Sequence, residues 1–101
     1  MVIITKGVIH LFAAKYPRAA VPLNEWFDKC KRADWKNFTE VKQYFNSIDA
    51  IGNDRYVFDI GGNNYRLIAM IHFDIRTLYI RGIFTHAEYD DLNKRGKLNQ
   101  L

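Results

Sequence analysis

Residues 55–73 read RYVFDIGGNNYRLIAMIHF, Arg55 to Phe73, and the register of this stretch decides the fold. Apolar residues recur at every second position in RYVFDI and again in NYRLIAMIHF. The GGN between them is a hairpin turn signal. A two-residue turn at Gly62-Asn63 sets Ile60 opposite Tyr65. Directly opposed residues in a hairpin share a face. Tyr56, Phe58 and Ile60 therefore line up with Tyr65, Leu67, Ala69, Ile71 and Phe73 on an almost wholly apolar face, which must meet a second layer. The other face carries Arg55, Val57, Asp59, Arg66, Ile68, Met70 and His72.

Toward the C-terminus, LYIRGIF predicts a third strand after a turn near Asp74. An even-length turn around Asp74-Ile75 adds Tyr79, Arg81 and Ile83 to the second face. Arg55, Arg66 and Arg81 then project to one side, and a one-residue slip would move Arg81 across the sheet. Such a face is either solvated or a phosphate-binding surface, because guanidinium forks hold phosphate oxygens bidentately. The strand runs into THAEYDDLNK. Thr85 and Glu88 form a capping box that starts a helix, and Asp90 and Asp91 add negative charge near its positive end. His86 and Tyr89, three residues apart, share a helical face. This helix start, itself an anion site, lies close to the arginine face.

Toward the N-terminus, Val2-Ile3-Ile4 predicts a short strand and Thr5 a helix cap. Val8, Leu11, Phe12 and Tyr16 recur at helical spacing, giving a helix over roughly residues 6–16 that Pro17 ends. Leu23, Trp26, Phe27 and Cys30 mark a second helix, with Pro22 tolerated in its first turn. Phe38, Val41 and Phe45 suggest a third, shorter one. Asn46 to Asp54 is turn-rich and reads as a loop. The expected architecture is α+β over one domain, residues 1–101: N-terminal helices packed on one face of an antiparallel C-terminal meander, then a short C-terminal helix.

The composition narrows the function classes. The 101 residues are 49% hydrophobic and 15% aromatic, which excludes a disordered chain. The net charge is +4, shared evenly, so any cationic surface must come from how the fold arranges its arginines. The single cysteine, Cys30, reads as a half-buried small hydrophobe in a cytoplasmic protein. No run approaches a membrane span. His10, His72 and His86 lack metal-ligand spacing, so no metal site is expected. GGNN lacks the lysine and Ser/Thr of a phosphate loop. Trp26 and Trp35 read as core or interface anchors, and Trp26 as a possible exposed docking point for a partner.

RYVFDIGGNNYRLIAMIHF followed by LYIRGIFTHAEYD, with VIIT at the N-terminus and AAKYP closing the first helix, resembles the HigB-type toxins of type II toxin–antitoxin systems, in the RelE superfamily. The resemblance covers about residues 2 to 93. It implies a β-α-α-β-β-β fold with a C-terminal helical turn. It also implies a ribosome-dependent mRNA endonuclease that inhibits translation without a metal or other cofactor. Its implied partners are mRNA, the ribosome and a helix-turn-helix, HigA-like antitoxin, with DNA reached only through that antitoxin and no membrane involved. Arg66 matches the superfamily's arginine at the scissile phosphate, Arg81 a basic position on the last strand, and His86 and Tyr89 the TH--EYD signature. Arg55 on the arginine face, and Lys94 and Arg95 in the tail NKRGKLNQL, are further candidate RNA contacts. Arg66 would stabilise the phosphorane and His86 would transfer a proton as acid or base. Tyr89 would donate a proton, orient the phosphate or stack on a base. The rival reading is a non-catalytic inhibitor of the same fold that binds a topoisomerase or RNA. In it Arg66 merely pairs with Asp59, and His86 merely packs.

Overall fold

The computed structural model describes residues 1–101. The chain runs β1 (Val2–Ile4), α1 (Gly7–Lys15), α2 (Ala20–Arg32), α3 (Phe38–Lys42), β2 (Ile48–Gly52), β3 (Arg55–Ile60), β4 (Tyr65–His72), β5 (Thr77–Thr85) and α4 (His86–Lys94), with 3-10 turns at Pro17–Ala19 and Leu98–Gln100. One mixed sheet has the order β1-β5-β4-β3-β2, in which β1 pairs parallel with β5 and the other pairs are antiparallel. The α+β class is as expected. The element order gains a strand.

The hairpin forms with Ile60 opposite Tyr65, Phe58 opposite Leu67 and Tyr56 opposite Ala69. Gly61 (φ 62°) and Gly62 (φ 68°) supply the left-handed backbone of the turn. The apolar face meets α1 and α2. Leu23, Trp26 and Cys30 of α2 are buried against Phe58, Leu67 and Ile71. Trp26 and Phe45 both meet the Phe58 ring edge to face, at centroid distances of 5.4 and 5.1 Å. Burying one such ring contributes about 1.5–3 kcal/mol.

Several expectations fail, each for a local reason. Residues Ile48–Gly52, expected as loop, form edge strand β2. Its two isoleucines are three apart and its residues include Asp49 and Gly52, so no alternation announces it. Backbone pairing with β3 holds it, with an irregular register between Ala50 and Gly52. Thr5 does not cap α1: it adopts φ 75°, and Lys6 precedes the helix without a side-chain cap. Leu11 lies off the buried arc of α1, which Ile9 leads, and is 76% exposed. Trp26 is 2% exposed and therefore no docking point. Cys30 is fully buried rather than half-buried.

The β4–β5 register contains the largest difference. Ile68 pairs with Gly82 but Ala69 with Ile80, so Arg81 is the extra residue of a β-bulge. Beyond the bulge the faces exchange. Ile83 opposes Leu67 and joins the main core, not the arginine face. Phe84 takes its place on the second face, opposite Arg66.

That second face is not solvated throughout. A smaller core of Val57, Ile68 and Leu98 lies on it, flanked by Ile51, Phe84, Tyr89, Leu92 and Leu101. The C-terminal tail folds back, and the Asn53 side-chain amide donates to the Asn99 carbonyl.

Two outcomes test this packing. Leu98→Ala should lower stability by about 2–3 kcal/mol, at the low end for a buried leucine because the site lies near the surface; the shift in urea midpoint measures it. Burial pushes the Cys30 thiol well above its ordinary value. The folded state therefore favours the neutral thiol, and that contribution is complete below the unfolded value, about 8.5. It is lost as pH rises further, so the urea midpoint should fall between about pH 8.5 and 10, and fall less in Cys30→Ala.

Candidate functional site

Strand β5 passes into α4 without a loop, and this junction builds the site. The Thr85 N–H donates to Glu88 Oε1 (2.9 Å) and the Glu88 N–H to Thr85 Oγ1 (3.3 Å). The capping box fixes the helix start, and with it the phase of the helix: His86 and Tyr89 fall where three-residue spacing requires. Tyr89 turns toward the sheet and packs against the smaller core. His86, one position into the helix, remains about half exposed.

Arg66 lies under Tyr89, with its guanidinium carbon 5.5 Å from the ring centroid. It is only 9% exposed. The hairpin that carries it also holds it. Nη1 donates to the Asn63 and Tyr65 carbonyls, both at 3.1 Å. Nη2 donates to Asn63 Oδ1. Asp59, its cross-strand partner, places Oδ1 3.1 Å from Nε as an ion pair. A buried cation is costly unless paired and hydrogen-bonded, and here the turn and β3 supply both. The same burial raises the Tyr89 phenol above its ordinary value, reinforced by Asp49 and opposed by the Arg66 cation. The Tyr89 phenol is thus held in its neutral, hydrogen-bond-donating form.

His86 has its own carboxylate. Asp90, one turn on, brings Oδ2 to 3.0 Å from His86 Nδ1. A carboxylate at one ring nitrogen sets the tautomer and directs the other nitrogen, Nε2, outward. Of the two outcomes that the rival reading requires, the Asp59–Arg66 pair is present, but His86 is not packed away.

The remaining candidates do not converge on this cluster. Arg55 sits four residue levels from Asp59 along β3, ~13 Å at the rise of a strand. Its Nε and Nη2 donate to the Leu101 carbonyl at 3.1 and 2.6 Å, and Nη1 to the Asn53 carbonyl at 2.8 Å. Arg81 is exposed at the bulge and has no ion pair. Lys94 is exposed in the last turn of α4, and Arg95 pairs with Asp91. The three expected to work together, Arg66, His86 and Tyr89, do share one corner of the molecule, where α4 crosses β4 and β5.

Two polar partners, Asp90 and Asn63, escaped the sequence reading as parts of the site, and a third, Asp59, entered it only as the Arg66 partner of the rival reading. Asp59 was legible as the residue opposite Arg66. Asp90 was legible as the residue four after His86, although it reads first as a helix-end charge. Asn63 was hidden, because an asparagine in a glycine-rich turn already has a sufficient reason to be there. No three His, Cys, Asp or Glu side chains come together as a metal-binding group. None of the surface cavities is lined by Arg66, His86 or Tyr89, but one lined by Asp59, Gly61 and Gly62 adjoins the turn that holds Arg66.

Comparison with known proteins places this corner in context. The protein called mRNA interferase HigB in Escherichia coli O6:H1 strain CFT073 is 35% identical over 102 residues, spanning 99% of both chains. The mRNA interferase toxin HigB of Escherichia coli strain K12 is 34% identical over 92 residues, 89% of this chain and 88% of that one. The mRNA interferase HigB of Shigella flexneri shows the same identity and coverage. Residues 19–92, most of the chain and all of the Arg66, His86 and Tyr89 corner, match the model of the HigB toxin family, described as the RelE-like toxic component of a toxin–antitoxin system. On the strength of that match and of relatives alike over nearly their whole length, this chain belongs to the HigB toxin family.

Proposed function

We propose that this chain is a toxin that cleaves mRNA during translation, with Arg66, His86 and Tyr89 as its catalytic residues. The observation that carries the reading is their convergence: a buried guanidinium beneath a phenol, on the helix turn that also presents a carboxylate-oriented imidazole. Relatives bearing the name mRNA interferase support the substrate class. The α+β build, with helices on one sheet face and a short C-terminal helix, is that of a small RelE-like toxin.

The chemistry follows from the groups. The 2′-hydroxyl of the RNA attacks the adjacent phosphorus. His86 Nε2, bare because Nδ1 faces Asp90, accepts the hydroxyl proton. Negative charge grows on the phosphorane oxygens beside Arg66, whose rigid strand and fixed partners leave little reorganisation to be done at that moment. The bond from phosphorus to the 5′-oxygen breaks, and Tyr89 donates its proton to the departing alkoxide. Even a phenol that titrates above about 10 is a far stronger acid than an alcohol. The products are a 2′,3′-cyclic phosphate and a 5′-hydroxyl end. These steps need no metal.

Ribosome dependence is part of the same proposal. His86 is half exposed and none of the three side chains lines a cavity, so alignment of the 2′-oxygen with the leaving oxygen falls to a partner in this reading. Alignment can supply on the order of 7–11 kcal/mol of the barrier, and a ribosome holding the message would provide it. A toxin of this family implies an antitoxin partner. The helix-turn-helix class, with DNA contact only through the antitoxin, and a cytoplasmic setting complete the proposal, together with RNA contacts from Arg81, Arg55, Lys94 and Arg95.

Expression of the chain alone should arrest growth and create new 5′-hydroxyl ends within translated messages. Arg66→Ala and His86→Ala should each slow cleavage about 10²–10³-fold and relieve the arrest, while circular dichroism shows the parent fold. Full toxicity of both folded variants would remove the catalytic assignment. Intact messages with arrested replication would instead favour a topoisomerase-binding inhibitor.

A further inference from the structure

The hydrogen bonds around Arg66 are unevenly distributed over its guanidinium. Asn63 spans the end of the group: its carbonyl takes Nη1 and its Oδ1 takes Nη2. Together with the Tyr65 carbonyl, which also takes Nη1, this engages both terminal nitrogens. On the second fork, along the Nε–Nη2 edge, Nε makes no hydrogen bond and one N–H of Nη2 is unused. That edge has only the Asp59 carboxylate oxygen beside Nε, as an ion pair. A guanidinium has two edges that can each grip a planar pair of oxygens. Here one edge is closed by the hairpin turn, and the other holds a side-chain anion that is about one-quarter exposed.

We infer that Asn63 is a positioning residue that turns the Nε–Nη2 edge of Arg66 toward the scissile phosphate, and that Asp59 is the counter-charge this phosphate replaces. The inference rests on the proposed catalytic role of Arg66 and adds the device that aims it. Asn63 lies in the turn between β3 and β4, three residues before Arg66, and reaches it without strain, since its φ is not positive. The Tyr89 ring closes off one face of the guanidinium. Rotation about the long side chain is thereby blocked in the end-on direction by Asn63 and across the plane by Tyr89. Only the Asp59 side remains for a phosphate. Two phosphate oxygens would then occupy Nε and the unused N–H of Nη2. Asp59, a like charge next to that phosphate, opposes RNA binding and keeps the buried cation neutralised between turnovers.

The two residues should therefore give opposite signatures. Asn63→Ala removes the anchor on Nη2 and leaves Nη1 held by the Asn63 and Tyr65 carbonyls, so the guanidinium can tilt about that end. Its kcat for a reporter message in cell-free translation should fall about ten- to a hundred-fold, with KM within three-fold of the parent. Asp59→Asn keeps the shape and removes the charge. A fluorescein-labelled 2′-O-methyl oligoribonucleotide, which has no nucleophile, should bind it roughly five-fold more tightly than the parent, with the difference shrinking at high salt. A merely structural ion pair predicts no gain in affinity from Asp59→Asn. An Asn63→Ala variant with parental kcat, or an Asp59→Asn variant that binds the probe no better, would overturn the inference. Arg66→Ala run alongside separates the two levels: if it cleaves like the parent, the catalytic reading itself has failed, whereas an inactive Arg66→Ala beside a parental Asn63→Ala removes only the positioning role.

Discussion

The register of one hairpin governs the rest of this molecule. Setting Ile60 against Tyr65 across the Gly61–Asn64 turn does three things at once. It sends Phe58, Leu67 and Ile71 to the helices. It places Asp59 directly across from Arg66. It leaves Asn63 in the turn within reach of the same guanidinium. A slip by one residue would invert the faces of β3 relative to β4, bury Asp59 among the helices and strand Arg66 without a counter-charge. Fold and site therefore depend on the same few backbone hydrogen bonds.

Burying Arg66 is not a stabilising choice in itself. Well-packed apolar residues commonly replace buried ion pairs at no loss, or at a gain, in stability. The fold nevertheless closes β4 with Tyr89 above this cation and Val57, Ile68 and Leu98 beside it. A surface arginine on the same strand would cost less to fold but would sample many rotamers. Restraint by the turn, by Asp59 and by the Tyr89 ring turns a flexible side chain into a fixed charge, the property that the proposed role at a short-lived phosphorane requires.

The parts legible in the sequence are those in which local chemistry and tertiary structure agree. Alternation from Arg55 to Phe73, the paired glycines and the Thr85–Glu88 cap each have one reading, and each is found. The parts that were not legible have no local signature. β2 exists because β3 offers it a backbone ladder, while its own residues favour a turn. The bulge at Arg81 depends on two strands meeting at different lengths, and it alone exchanges Ile83 for Phe84 on the second face. Gly82 gives the only hint: a Cβ there would come within 2.4 Å of the Phe84 ring, so the glycine makes room for the phenylalanine that the bulge redirects. The tail reads as a solvated basic segment, yet Leu98 is buried on a patch that no periodicity within the tail could reveal.

These failures bear on the site in a consistent direction. Arg66, in the middle of the hairpin, and His86 and Tyr89, in the first turn of the capped helix, share one corner, as the register and the cap require. Arg81 sits on the bulge, Arg55 at the far end of β3 against the tail, and Lys94 and Arg95 at the end of α4, all apart from that corner. A contact that must recognise a large, shaped partner gains from being distributed, because each cation then meets a different phosphate. A contact that must act on one phosphorus gains from being rigid. The molecule divides its cations along that line: one guanidinium is buried and anchored by the turn and Asp59, while Arg81, Lys94 and Arg95 are exposed, where screening by salt is strongest.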